Sequence, residues 1–133
     1  MNTIDLVLKT EWFDLIKNGV KRSEYRDLTP FYAVRFLERW NGKEWVKLTT
    51  DFASYIFNKL NPFGPVESWM YKEDDDLSRR LNCLRFRNFD TIRFRKGYTN
   101  IDIKYKVKNI YIGTGKKEWG AIGDTKYFVI DFE

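Results

Sequence analysis

Thr91-Ile92-Arg93-Phe94-Arg95-Lys96-Gly97-Tyr98-Thr99-Asn100-Ile101-Asp102-Ile103-Lys104 is the stretch that decides the fold class. Ile92 and Phe94 alternate with Arg93 and Arg95, and Ile101 and Ile103 alternate with Asp102 and Lys104. That two-residue period belongs to β-strands with one apolar face and one mostly basic face. Lys96-Gly97-Tyr98 supplies the turn between two of them. The same alternation appears upstream, where Leu84 and Phe86 oppose Arg85 and Arg87, and Phe128, Ile130 and Phe132 give the inward residues of a last strand.

Towards the N-terminus, Ile4-Asp5-Leu6-Val7-Leu8 reads as a first strand. Thr10 is placed to cap a helix from Glu11 to about Asn18, with Gly19 ending it and Trp12, Phe13, Leu15 and Ile16 as its apolar face. The residues after Gly19 lose the helical period and form a strand, and Thr29-Pro30 starts a second helix through Phe31, Val34 and Leu37. Trp40-Asn41-Gly42-Lys43-Glu44-Trp45 carries the Asn-Gly mark of a tight hairpin with a Trp on each arm. Thr50 to Leu60 reads as a further helix, with Phe52, Tyr55, Ile56 and Phe57 for burial, and Asn61-Pro62-Phe63-Gly64-Pro65 breaks it. Glu73-Asp74-Asp75-Asp76 lacks calcium-loop spacing and reads as a solvated acidic run. Many strands with two or three helices predict an α+β domain built on a small β-barrel.

Composition narrows the chemistry. The chain of 133 residues has no linker-like tract, so a single domain is expected. With one cysteine, Cys83, and no histidine, there is neither an internal disulfide nor a Cys/His zinc set. No metal or other cofactor is called for, and catalysis would have to use Lys, Glu, Arg, Asp or hydroxyls. The expected home is a reducing cytoplasm, with no leader and no membrane span. The net charge of +5 is uneven: Arg85 to Lys108 holds eight basic residues against two acidic ones, and the rest of the chain is −1. Such a field points to a polyanion partner, unless it is simply a solvated outer sheet face.

Gly19-Val20-Lys21-Arg22-Ser23-Glu24-Tyr25-Arg26 packs fixed charges into the exit from the first helix. On a regular strand Glu24 and Arg26 share one face, and Lys21, at the turn before it, is free to swing inward. Arg26 can grip a phosphate or carboxylate with its fork, Lys21 adds a point charge, and Glu24 either fixes the Arg or accepts from a base amino group. The alternative is a Glu24–Arg26 ion pair that only fixes strand geometry.

The motif resembles the hallmark of the ASCH domains, a branch of the PUA-like superfamily: G-x-K-x-x-E-x-R after the first helix, matched by Gly19, Lys21, Glu24 and Arg26. Phe89 to Tyr98 looks like that family's central strand and turn, and Glu118-Trp119-Gly120-Ala121 resembles its closing loop. The resemblance covers about residues 4–37 and 89–133, leaving about 38–88 as an expected insertion. It implies a PUA-like small β-barrel with flanking helices and a charged cleft that takes RNA or a nucleotide-like ligand. One enzymatic branch of the superfamily hydrolyses N4-acetylcytidine with a Lys, a Thr and a Glu. Here Lys21 fits the first role, but Glu24 stands where that branch has its threonine, and Ser23 and Thr91 are other hydroxyls.

Three functions follow from these residues. In the first, single-stranded or looped RNA is bound, with Lys21, Arg26, Arg93 and Arg95 on phosphates, Glu24 in the cleft, and Tyr25, Tyr98 or Trp119 stacking on a base. In the second, a small amidohydrolase acts on a modified nucleoside, with Lys21 as nucleophile or base and Glu24 moving the proton. In the third, the insertion docks a protein partner through Trp40, Trp45, Phe63 and Trp69.

Overall fold

A computed structural model describes residues 2–58 and 66–133. The fold is mixed α+β, and its described residues form two compact units, one from 1–27 with 88–133 and one from 28–87. The expected breaker Asn61–Pro65 lies outside the described residues, as do Leu60 and Phe63.

The first unit holds a five-stranded sheet. Its strands are β1 (Thr3–Leu8), β2 (Ser23–Asp27), β6 (Thr91–Lys96), β7 (Asp102–Gly113) and β8 (Tyr127–Phe132), in the order β1-β6-β7-β8-β2. β1 runs parallel to β6 with Ile4 opposite Ile92 and Leu6 opposite Phe94, and the other pairings are antiparallel. In β1 the alternation is complete: Ile4, Leu6 and Leu8 are buried while Thr3, Asp5 and Val7 face out. β8 has buried residues on both faces, because Phe128 and Ile130 enter the main core while Tyr127 and Val129 join Ala121 in a smaller cluster on the other side. Lys108 is an extra residue in β7, since Val107 pairs with Phe132 and Asn109 with Asp131. The expected turn at Lys96–Tyr98 is present, with Gly97 at φ +55° and the Lys96 N–H donating to Ile101 across it.

Against this sheet α1 (Thr10–Lys17) contributes Phe13 and Ile16, both buried. Thr10 is the first helical residue rather than the cap. Lys9 occupies the cap position, and its carbonyl accepts from the Trp12 and Phe13 N–H groups with no side-chain cap. Phe94 meets Phe132 edge-on at 5.0 Å between ring centres. Among the described residues no strand pairing closes β2 onto β1, so the sheet is open at those two edges and not a closed barrel by its backbone.

The second unit starts at Leu28 and therefore includes α2 (Pro30–Phe36), whose Thr29 hydroxyl accepts from the Tyr32 N–H. A three-stranded sheet follows, ordered β4 (Trp45–Lys47), β3 (Leu37–Trp40), β5 (Leu84–Phe86). The hairpin closes through a four-residue loop: Trp40 pairs with Trp45, and the Asn41 side chain accepts from the Lys43 and Glu44 N–H groups. Helix α3 (Thr50–Asn58) buries Ala53 and Ile56, while Tyr55, expected inside, is exposed. In the acidic run Asp75 pairs with Arg80 at 3.2 Å and Asp76 with Arg79 at 3.7 Å. Arg85 and Arg87 belong to this unit, so the basic segment read as one field is divided. No helix among the described residues is long and apolar enough to cross a membrane.

Candidate functional site

The charged motif begins where α1 stops. Gly19 takes a left-handed conformation (φ +76°), its N–H donates to the Ile16 carbonyl, and the Val20 N–H reaches back to Leu15. This is a Schellman stop, and it needs glycine because a Cβ at that φ is strained. The Lys21 N–H also donates to Leu15, which draws the chain back over the helix end and turns the Lys21 side chain inward. Two residues later β2 begins, with Glu24 opposite Ile130 and Arg26 opposite Phe128 on the inner face.

Three charges therefore meet inside the first unit. Lys21 Nζ donates to Glu24 Oε1 at 2.8 Å, and Arg26 Nη2 donates to Glu24 Oε2 at 2.9 Å. Glu24 Oε1 also accepts from the Tyr25 N–H at 3.2 Å. Lys21 is 2% exposed and Glu24 5%, whereas the Arg26 side chain keeps 16% of its surface. The Lys21 ammonium lies 4.6 Å from the centre of the Trp12 ring and 5.8 Å from that of Tyr25. Desolvating such charges is costly unless each meets its opposite, and here one carboxylate serves two cations, leaving the cluster at +1.

Arg26 also donates to the Val7 carbonyl at 3.1 Å, so a side chain from edge strand β2 reaches the backbone of edge strand β1. Val7 in turn borders a small cleft of about 70 Å³ lined by Asp5, Leu6, Val7, Arg93 and Arg95. The accessible part of the triad and two predicted phosphate contacts thus share a neighbour.

The other predicted residues are dispersed. Arg93 is engaged by Asp5 at 2.5 Å and by Asp102 at 3.7 Å. Arg95 forms no ion pair among the described residues. Tyr98 stands 97% exposed on the β6–β7 turn. Tyr25 projects from the outer face of β2, where its hydroxyl accepts from the Lys116 N–H at 2.9 Å and its ring packs near Tyr127 at 5.7 Å. Burial there pushes the Tyr25 hydroxyl pKa upward, outweighing the hydrogen bond from Lys116. Trp119 ends a short 3-10 turn (Lys117–Trp119), half buried beneath the Lys116 ammonium at 4.2 Å. Ser23 donates to Asp131 on the face of β2 opposite Glu24, so this hydroxyl is directed away from the triad. In the second unit Trp40, Trp45 and Trp69 are each half buried, the first two against one another at 5.6 Å.

Sequence reasoning missed Trp12, which covers Lys21, and Gly115, which seats Tyr25. A Cβ at Gly115 would stand 2.4–2.8 Å from three Tyr25 ring atoms. Trp12 fits a helix's apolar stripe, and nothing in its spacing separates a ring facing a cation from one facing a core. Among the described residues no group of three or more Cys, Asp or Glu side chains could hold a metal ion.

No family model, no curated protein and no solved structure matches the chain.

Proposed function

We propose that the first unit is an ASCH-like, PUA-type domain that binds RNA or a nucleotide-like ligand at the mouth of the Lys21–Glu24–Arg26 triad. The observation that carries this reading is Arg26: a guanidinium held in a defined orientation by a buried carboxylate and a backbone carbonyl. A pre-oriented fork of this kind favours a phosphate or carboxylate over a neutral group. The sheet order, with Arg26 spanning from β2 to β1, is compatible with a small barrel whose last seam is closed by a side chain rather than by strand pairing. Arg95 and the cleft beside Val7 extend the ligand's path, and Trp119 and Tyr98 offer rings to unpaired bases.

The hydrolase reading draws on the 2.8 Å Lys21–Glu24 contact, which has the geometry of an acid–base pair. It asks a substrate carbonyl to reach an ammonium covered by Trp12 and Tyr25, whereas a bound anion needs to meet only Arg26. Binding is therefore the function the geometry favours.

The test is fluorescence anisotropy of a labelled short single-stranded RNA at two salt concentrations, with the native chain and Arg26→Lys. Lysine keeps the charge and loses the fork, so affinity is expected to fall about tenfold or more, as for a lost charge-assisted hydrogen bond. Unchanged affinity in Arg26→Lys would remove Arg26 from the site. Absence of salt-sensitive binding by the native chain, together with turnover of N4-acetylcytidine that Glu24→Gln abolishes, would establish the hydrolase instead.

A further inference from the structure

The outer face of β6 and β7 carries a row of amines that the triad does not use. On β7 the exposed positions read Asp102, Lys104, Lys106, Lys108, Asn109 and Tyr111, and on β6 the same face presents Arg93 and Arg95. Of the acids on this face, Asp5 and Asp102 are both engaged by Arg93, and Asp131, opposite Asn109 on β8, accepts from the Ser23 hydroxyl. Lys104, Lys106, Lys108 and Arg95 form no ion pair among the described residues.

From this arrangement we infer that β7 is a track for the backbone of a single nucleic-acid strand, with Lys104, Lys106 and Lys108 each meeting a phosphate. The inference rests on the nucleic-acid reading above and names the form of the ligand. Three features favour a single strand. Side chains on one face of an extended strand recur about every 6.8 Å, and two amino-acid residues contribute as many backbone bonds as one nucleotide, so amines and phosphates advance in step. The three lysines lie along a single strand, which suits a chain laid lengthwise rather than a broad anionic plane. It also has a ring at its start, Tyr98, 97% exposed on the turn before β7, as an unstacked base would use; Tyr111, near the far end, is only 37% exposed and is hydrogen-bonded to Asp131. The bulge at Lys108 adds one further amine to the regular row.

The experiment compares the native chain with Lys104→Gln/Lys106→Gln/Lys108→Gln and with Arg26→Lys. Each is titrated against a labelled oligouridylate long enough to cover the strand and against a uridine dinucleotide, over a salt series. For single strands each neutralised phosphate contributes about 0.7 to the slope of log affinity against log salt, so the triple variant should lower that slope by about 2 for the long oligomer. Its dinucleotide binding should match the native chain's. All three lysines are exposed, so the variant is expected to fold, which circular dichroism checks. An unchanged slope in the triple variant, with Arg26→Lys still weakened, overturns the track and leaves the triad reading standing. A native chain that binds neither oligonucleotide overturns both. Equal loss of dinucleotide and oligomer binding in the triple variant overturns the track too, since the lysines would then belong to the small site. Binding of phosphatidylserine vesicles as tight as that of the oligomer would also overturn it, because the face would then be a general anion surface.

Discussion

Glu24→Gln isolates the energetics of the triad. The substitution keeps the side chain's shape and removes the only negative charge between two cations, so Lys21 and Arg26 are left facing each other in a site where Lys21 is 2% exposed. Each lost pair is worth about 4 kcal/mol of Coulomb energy for charges roughly 4 Å apart at an effective dielectric of about 20. Much of that is offset in the native protein by desolvation, and breaking one side of a buried ion pair typically costs about 3–5 kcal/mol net. For a chain of this size that corresponds to a fall in Tm of about 10–20 °C. Urea unfolding followed by circular dichroism measures it, and Lys21→Met supplies the control. In the Lys21→Met background Glu24→Gln strands one cation rather than two, so it should cost at least about 1 kcal/mol less than in the native chain, a coupling within the range found for contacting residues. A single-mutant cost below about 1 kcal/mol, or no coupling, would show that the ammonium is not held by Glu24 in solution, and the argument for a pre-oriented Arg26 would fail with it.

Gly115→Ala forces a methyl group to within 2.4 Å of the Tyr25 ring, which is held at its hydroxyl by Lys116; a loss of about 1–3 kcal/mol is expected in the same urea assay, and Tyr25→Ala in the Gly115→Ala background should remove that strain. Tyr25, Tyr105 and Tyr111 all have hydroxyl pKa values raised chiefly by burial. A raised folded pKa means that their contribution to stability is complete below the ordinary value of about 10 and is lost as pH rises through the folded value. Unfolding midpoints should therefore drop above about pH 10, and less steeply in Tyr25→Phe/Tyr105→Phe/Tyr111→Phe; identical pH profiles would refute the assignment.

What was legible in the sequence follows from one-sided burial. β6 alternates cleanly because one of its faces is dry, as its sequence indicates, and β1, legible only as a strand, alternates in the same way. In β8 the sequence marks Phe128, Ile130 and Phe132 as inward; Tyr127 and Val129 are buried as well, because the loop carrying Ala121 covers the other face. The helix start was misplaced by one residue: Thr10 looks like a cap by type, yet Lys9 takes the position and its backbone does the work. Lys21, Glu24 and Arg26 were found because the pattern of charges is local. Their partners were not: Val7, Trp12 and Gly115 are joined to the motif by tertiary packing, which leaves no periodic trace. The division of the chain at Leu28 was equally hidden, since Thr29-Pro30 signals a helix start without saying which unit the helix serves.

The bond from Arg26 to the Val7 carbonyl also bears on how this chain behaves towards other copies of itself. An edge strand with open backbone groups is a template on which a second chain can add a strand, and long bare edges lead to aggregation. On β1 the Val7 carbonyl is already occupied by a guanidinium that is itself tethered to Glu24, so an incoming strand must break that bond before it can pair in register. Whatever draws Arg26 outward exposes this edge. A ligand that engages the guanidinium without displacing it would keep the edge guarded, and one that pulls it free would trade binding for self-association.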